Sequence, residues 1–261
     1  MKKNSIAIDC SGGIAGDMFS AALINAGADF IKMKNRMTFA GNQLGKTLLK
    51  HIILEDGSSR LLISIKNNNE ILTGFDAEKI LKKTFIEFNI DKEYRIFGEK
   101  ILRTLLDAEK EAHSAKIFKF KNTGYLIPEV NSHDNNMNTH LHEAQDIVID
   151  IIGVVSGLEL LNIKPEGILL SQISVGSGKI NFSHGTLNVP APATKIILEK
   201  SGLKWEKGPI EKELCTPTGA AILYSLKLSE QTDLKIPNHT VKGISRGSKT
   251  FPIDPLKIYI Y

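Results

Sequence analysis

The stretch that organises this chain is THLHEAQDIVIDIIGVVSGLELL, from Thr139 to Leu161. It begins with two imidazoles and a carboxylate within four positions, and two more carboxylates follow at helical spacing. Imidazole nitrogens and carboxylate oxygens are common ligands of first-row transition metals. The rest of the stretch is almost wholly apolar, which predicts a buried helix. We therefore expect a ligand-rich junction on a buried element, made by His140, His142, Glu143, Asp146 and Asp150.

The arrangement of these groups follows from helical geometry. At about 100° per residue, His142, Glu143, Asp146 and Asp150 fall on one face of the predicted helix, with His140 just outside it. Carboxylates crowded on one face of a buried helix repel each other, and burial adds a desolvation cost. A metal ion or a basic partner would relieve both effects. The alternative is a face that points to solvent or pairs with Lys and Arg of the preceding helices.

A glycine-rich turn near the N-terminus is a second candidate site. A short strand at Ser5–Asp9 is followed by CSGGIAG and by a helix that starts near Asp17. A strand, a glycine-rich turn and a helix N-terminus form a geometry that holds anions. However, the spacing fits neither the dinucleotide fingerprint nor the P-loop. The alternatives are a tight turn made by Gly12, Gly13 and Gly16, and a helix-start role for Asp17 that the helix dipole favours.

The remaining patterns predict an α/β or α+β fold with a mixed sheet flanked by helices. We expect one domain over residues 1–261, with a helical subdomain at about 76–114 and a polar loop at 122–139. Strands are predicted at 61–65 and 167–175, helices at 77–88 and 94–113, helices opening at Pro192 and Thr216–Pro217, and two short strands in the tail.

Composition excludes several classes of protein. A hydrophobic content of 42% and a charged content of 24% are typical of a soluble globular chain. The net charge of +4 is too small to predict a nucleic-acid surface. No apolar run is long enough to predict a membrane span, and the N-terminus does not resemble a secretory signal. Cys10 and Cys215 are far apart and lack metal-ligand spacing, which favours a reducing cytoplasm.

Several loop-to-helix junctions are rich in polar or small residues. Those at Gly12–Asp17, Ser183–Thr194 and Thr216–Ala220 could converge with the junction that opens the central helix, at one edge of the sheet. Glu109 and His113 are four residues apart on a predicted helix and therefore share one side of it. By spacing alone, such a pair is usually a surface contact.

Five segments of the chain together resemble one known family. IDCSGGIAGDMFSAAL, LLDAEKEAHS, HLHEAQDIVIDIIG, HGTLNVPAPAT and ELCTPTGAA are similar, in this order, to segments of the nickel-insertion proteins that complete the nickel-pincer nucleotide cofactor of lactate racemase. Members of that family insert nickel into a pyridinium mononucleotide that carries two thiocarboxylates, and they form a nickel–carbon bond. The resemblance thus implies nickel, a pyridinium mononucleotide substrate and a nickel chelatase or cyclometallase of the lyase class.

The resemblance also implies roles for individual residues. His140, His142 and Glu143 match the family's HxHE, and Asp146 and Asp150 match its following acids. Metal binding is therefore expected at these five residues and at Glu109 and His113, which match a further family segment.

To form the nickel–carbon bond, the pyridinium ring must lose a proton, and a base must accept it. Glu143 and His184 are the candidates for this base. The substrate phosphate is expected at a helix N-terminus, either at the Gly12–Asp17 turn or at Thr216, Thr218 and Gly219.

The chain also departs from the family pattern. Two fewer residues separate Glu143 from Asp146, and the link from Ser114 to Thr139 is longer than usual. Family members use CTP and continue into a further C-terminal region associated with that nucleotide. The resemblance therefore implies CTP with a divalent metal when that region is supplied, for example by a separate C-terminal CTP-binding chain. The alternatives are a metal-dependent hydrolase, in which the same His/Glu group activates water, and a non-catalytic nickel-binding subunit.

Overall fold

Residues 3–66, 72–121, 140–141, 146–182, 185–231 and 240–261 are described in the computed structural model of the protein. The helices are α1 (Gly16–Asn25), α2 (Phe30–Gly41), α3 (Gly74–Glu87), α4 (Lys92–Lys121), α5 (Ile147–Leu160), α6 (Pro192–Ser201) and α7 (Pro217–Ser225). The strands are β1 (Asn4–Asp9), β2 (Lys46–Ile53), β3 (Ser59–Lys66), β4 (Leu72–Thr73), β5 (His140–Leu141), β6 (Ile163–Leu169), β7 (Ile173–Ser174), β8 (Lys179–Phe182), β9 (Gly185–Asn188), β10 (Trp205–Glu206), β11 (Lys227–Glu230), β12 (Val241–Ser245) and β13 (Leu256–Ile260).

The main sheet has seven strands in the order β11-β6-β1-β13-β12-β3-β2. Strand β1 lies near its centre, parallel to β6 and antiparallel to β13. The C-terminal strand therefore pairs directly with the N-terminal one, with Ile6 opposite Ile260. The prediction of a mixed sheet flanked by helices is confirmed.

Helix α5 is the buried helix that the sequence predicts. Every residue from Ile147 to Leu158 is buried, because the helix packs between other elements and has few polar residues of its own. Gly153 and Gly157 allow α1 to approach closely: a Cβ added at Gly153 would lie 2.4 Å from Ser20 Oγ. The strongest sequence signal thus forms the centre of the core.

The start of this helix differs from the prediction. The expected helix begins at Thr139, whereas α5 begins at Ile147, and Asp146 occupies the position before its first turn. His140 instead lies in β5, which pairs with β4. The helical-angle argument therefore holds for Asp146 and Asp150, whose backbones are joined by the helical hydrogen bond Asp150 N–H to Asp146 C=O. Its extension to His142 and Glu143 falls outside the described residues.

Two other regions differ from the sequence interpretation. The region between the first helix and β3 contains α2 and β2, for which no element was predicted. Helix α2 begins where the Asp29 side chain accepts a hydrogen bond from the Lys32 N–H. The predicted strand at 167–175 is divided between β6 and β7.

The predicted helical subdomain corresponds to α3 and the first part of α4. Both helices contribute buried side chains, such as Leu81 and Ile101, to the same hydrophobic core as α1 and α5. The predicted polar loop at 122–139 lies outside the described residues.

Candidate functional site

The candidate site is a cavity of about 490 Å³ where several loop-to-helix junctions meet. Its walls come from the turn before α1, the N-terminal ends of α5, α6 and α7, one side of α4, and the loop between β12 and β13. The three junctions singled out in the sequence thus each contribute lining residues to a single cavity. The fold brings them together because Ile14 forms a bridge with Cys215, which joins the first junction to the start of α7, and because α6 packs against α7.

Three carboxylates line one part of this cavity. Asp17 lies in the first turn of α1, Asp146 precedes α5, and Asp150 lies in the first turn of α5. Asp150 is only 6% exposed. Its Oδ1 is buried and has no hydrogen-bond partner among the described residues. Gly16 permits this arrangement, since a Cβ at that position would lie 2.3 Å from Asp150 Oδ2.

The electrostatics of these carboxylates reflect their burial. Burial raises the pKa of the Asp150 carboxyl well above its ordinary value, and the nearby Asp146 and Asp17 raise it further. Burial also raises the pKa of Asp17 to about 6, with a contribution from Asp146, while the Arg60 guanidinium opposes the shift. Desolvation of its carboxyl raises the pKa of Asp146 as well, although the residue as a whole is exposed. Negative charge in this part of the cavity is therefore poorly compensated, and a bound cation would stabilise it.

The predicted metal ligands are only partly described. His142, Glu143 and His184 lie outside the described residues, and for His140 only the backbone within β5 is described. Within the described ranges, no group of three or more His, Cys, Asp or Glu side chains is arranged to hold a metal ion. The full ligand set therefore stays a prediction. Asp146 follows the His140–Glu143 segment closely in the chain and lines the cavity together with Asp17 and Asp150.

Glu109 and His113 also line the cavity. Both lie on α4, with Glu109 Oε2 3.8 Å from His113 Nε2. Spacing alone favours a surface contact, whereas in the fold the pair lies in the cavity wall. The structure thus brings Glu109 and His113 to the same cavity as Asp146 and Asp150.

The predicted anion-binding glycines serve mainly the packing of the protein backbone. A Cβ at Gly12 would lie 1.8 Å from the Asp254 carbonyl oxygen, and one at Gly13 would lie 2.2 Å from that of Leu214. Gly13 also has a positive φ of 86°. A Cβ at Gly219 would lie 2.3 Å from the Ile14 carbonyl oxygen. Of the predicted glycines, Gly12 lines the cavity, and Gly13, Gly16 and Gly219 do not.

The predicted threonines occupy the start of α7. Thr216 caps this helix, its Oγ1 accepting a hydrogen bond of 3.2 Å from the Gly219 N–H. Thr216 and Thr218 both line the cavity. Both residues therefore lie in the cavity wall beside a helix N-terminus, and the binding of a phosphate there stays a prediction.

Sequence reasoning missed the charged residues of two further segments. Lys212, Glu213, Arg246 and Lys249 line the cavity from the segment before α7 and from the β12–β13 loop. Arg246 is held by its hydrogen bonds to Asp56 Oδ2, at 2.7 Å, and to the Ile253 carbonyl, at 2.6 Å. For Arg246 and Lys249 the sequence shows only charges in a Gly/Pro-rich loop between two strands, which is usually a solvated surface. Glu213 opens the ELCTPTGAA segment that resembles the family, but no role was predicted for it.

Comparison with known proteins identifies the family. A model of the family described as "Nickel insertion protein" matches residues 6–255. The chain belongs to the nickel insertion protein family. This membership agrees with the five segments that resemble that family, and it covers nearly the whole described fold.

Individual relatives agree with the family match. The chain is 31% identical over 249 residues to the pyridinium-3,5-bisthiocarboxylic acid mononucleotide nickel insertion protein of Staphylococcus epidermidis strain ATCC 12228, covering 94% of this chain and 55% of the relative. A Dictyoglomus thermophilum protein, provisionally named for nickel insertion, is 34% identical over 260 residues, covering 97% of this chain and 59% of the relative. The chain therefore spans less than two thirds of these relatives. No solved structure gave a significant match.

No described helix is both long enough and apolar enough to cross a bilayer.

Proposed function

We propose that this chain takes part in the insertion of nickel into pyridinium-3,5-bisthiocarboxylic acid mononucleotide, which yields the nickel-pincer nucleotide cofactor. The printed name of the Staphylococcus epidermidis relative supports this substrate and reaction. The family that the chain belongs to supports nickel as the metal. Nickel is here a substrate that enters the product.

The observation that carries the proposal is Asp150 in the cavity wall, which is buried and whose Oδ1 has no hydrogen-bond partner among the described residues. A buried carboxylate without a hydrogen-bond donor costs folding free energy, so such a group is retained where a ligand compensates it. Asp17 and Asp146 add negative charge at the same place. In a nickel insertion protein, the cation that fits this charge is the divalent nickel ion.

The proposed ligand set combines this cavity wall with the segment before α5. His140, His142 and Glu143 would bind nickel together with Asp146 and Asp150, and Glu109 and His113 face the same cavity from α4. Imidazole suits nickel, which stands high in the affinity order of the divalent ions.

The start of α7 is the better of the two expected phosphate sites. The N-terminus of α1 lies beside the carboxylates of Asp17 and Asp150, which would repel an anion. The start of α7 offers Thr216 and Thr218, and Lys212 lines the same cavity. We therefore place the phosphate at α7 and the reacting part of the nucleotide towards the carboxylates.

We also propose that turnover uses CTP with a divalent metal, bound by the further region that the relatives contain. The test is to purify this chain without an affinity tag and to mix it with nickel and the bisthiocarboxylated precursor. Two additions are tested, CTP and the remaining C-terminal region of a relative. The four mixtures contain neither of them, CTP alone, the C-terminal region alone, or both. We expect nickel-pincer nucleotide, measured by mass spectrometry, with both additions. Its absence from every mixture would contradict the proposal.

The ligand assignment has its own test. The double variant His140→Ala/His142→Ala should lose stoichiometric nickel binding in equilibrium dialysis. His51→Ala is the matched control, because His51 lies on β2 against the Phe30 ring, with ring centroids 5.3 Å apart. Unchanged nickel stoichiometry in the double variant would refute the assignment.

Two outcomes would favour the alternative functions. Phosphoester hydrolysis by zinc- or manganese-loaded protein would favour the hydrolase, and nickel binding without product would favour the non-catalytic binding subunit.

A further inference from the structure

Glu213 is a charged residue in the cavity wall whose backbone is firmly held. It lies in the segment between β10 and α7, where it forms a bridge with Gly176. The next residue donates its N–H to the Val175 carbonyl, and Thr216 donates its N–H to the Ile14 carbonyl. Gly176 allows this close approach, since a Cβ there would lie 1.8 Å from the Lys212 carbonyl oxygen. Glu213 thus lines the cavity on a backbone that is anchored on both sides.

The Glu213 carboxyl is incompletely hydrogen-bonded by the described residues. Its Oε1 is buried and accepts no hydrogen bond from any described residue. The positive charge of Lys249 lowers the pKa of this carboxyl, but by less than burial raises it. As a result, burial raises the pKa of Glu213 to about 7. A carboxyl with that pKa can both take up and release a proton near neutral pH.

The reaction proposed above needs such a group. When nickel bonds to a ring carbon, the C–H bond breaks, its electron pair forms the nickel–carbon bond, and one proton leaves. Nickel stays divalent, so no oxidant or reductant is required. A base must therefore lie in the cavity that holds the ring.

We propose that Glu213 accepts this ring proton as the nickel–carbon bond forms and then releases it to solvent. The assignment rests on the proposed function. It differs from the base that the sequence predicts, Glu143 or His184, because Glu213 is a described cavity residue with an unoccupied acceptor oxygen.

The test compares Glu213→Gln with wild type in the complete nickel-insertion assay. We expect the rate to fall about 100-fold or more, with nickel and precursor affinities changed by less than about twofold. Glu213→Asp should recover part of the rate. The matched control is Glu211→Gln, which removes a carboxylate two positions away, outside the cavity lining, and should keep the wild-type rate.

A second measurement separates proton transfer from a structural role. With precursor deuterated at the metallated ring carbon, Glu213→Gln should show a larger primary isotope effect on insertion than wild type. A rate within about threefold of wild type, or a loss of precursor binding that accounts for the lost rate, would overturn the assignment. The same loss in Glu143→Gln or His184→Ala, but not in Glu213→Gln, would return the role to those residues. Absence of product with wild type would instead reject the proposed function itself, together with this inference.

Discussion

The two ends of helix α5 carry carboxylates in opposite situations. At the C-terminal end, Glu159 Oε2 accepts a hydrogen bond of 2.6 Å from Arg36 Nη1, and its Oε1 accepts one of 2.7 Å from the Asp91 N–H. At the N-terminal end, Asp150 is more deeply buried and its Oδ1 accepts none from a described residue. One helix thus contains a carboxylate with both oxygens hydrogen-bonded and another with an oxygen that no described residue contacts as a donor.

This difference separates a stabilising residue from a functional one. Charge-assisted hydrogen bonds of the Glu159 kind stabilise a fold, because donor and acceptor geometry are both satisfied. A buried carboxylate without donors costs free energy. Folding alone would favour an apolar or amide side chain at Asp150, so we infer that the requirement for charge comes from a ligand in the cavity. Glu213, at another wall of the cavity, shows the same lack of partners.

The largest expected effect comes from Asp150→Asn. The amide keeps the shape of the side chain but removes its charge, so nickel affinity should fall about 10- to 100-fold. The free energy of unfolding should rise by about 1 kcal/mol, because an unpartnered buried charge is lost. Calorimetric nickel titration and urea denaturation measure the two effects. Glu87→Gln, at an exposed position of α3, is the control, and a destabilised Asp150→Asn with intact nickel binding would contradict the comparison.

The opposite end of α5 should respond in the opposite way. Glu159→Gln should lower the free energy of unfolding by about 2 kcal/mol, because Arg36 and the Asp91 N–H lose a charged acceptor in a half-buried setting. Nickel affinity should not change. The exposed pair of Lys82 and Glu78 provides the control: Glu78→Gln should cost at most about 0.5 kcal/mol. Equal costs for the two substitutions in urea denaturation would show that the Glu159 contacts add little.

The close contact beneath Asp150 gives a third prediction. In Gly16→Ala the new Cβ would meet Asp150 Oδ2 at 2.3 Å, so α1 and α5 must shift apart. Such overpacking should cost about 1–2 kcal/mol, despite the better helix propensity of alanine. Gly247→Ala, where the nearest atom is Met18 Sδ at 3.4 Å, should change thermal stability little. A Gly16→Ala protein as stable as wild type would mean that the contact relaxes freely.

The smallest expected effect is the pH dependence contributed by Glu213. Its folded-state pKa of about 7 lies above the ordinary value of 4.5, so its contribution to stability decreases as pH rises through that interval. Glu213→Gln removes this pH-dependent decrease in the free energy of unfolding. After allowance for solvent screening of a half-buried group, the variant should be more stable than wild type by about 1 kcal/mol near pH 8 and equally stable near pH 4. Parallel urea denaturation curves at the two pH values measure this, and a pH-independent difference would rule out the raised pKa.

Much of the candidate site could be predicted from local sequence patterns. The apolar run from Ile147 to Leu158 predicts a buried helix, and Asp146 and Asp150 at helical spacing predict a charged cluster at its start. Both features depend on residues that are close together in the sequence, so helical periodicity predicts them. The helix start was misplaced because ligand-type residues before Asp146 continue a plausible helical face, whereas the backbone at His140 pairs with β4 instead.

The other side of the cavity depends on contacts between distant residues. Lys249 and Arg246 reach it because β12 pairs with β13 and β13 pairs with β1, which places the tail beside the first turn of the chain. Glu213 reaches it through a bridge to Gly176. No local sequence pattern predicts these pairings. In the sequence, the charged residues Lys249, Arg246 and Glu213 therefore resemble ordinary surface residues.

The sequence by itself determined the family resemblance, the buried central helix and the residue types available for metal binding, because these depend on local order and spacing. Only the tertiary structure decided which carboxylates lack partners, which side chains share one cavity, and that the glycines serve backbone packing. Burial and hydrogen bonding arise between residues far apart in the chain. The chemistry proposed for Asp150 and Glu213 follows from that burial, since the same residues in water would be ordinary carboxylates.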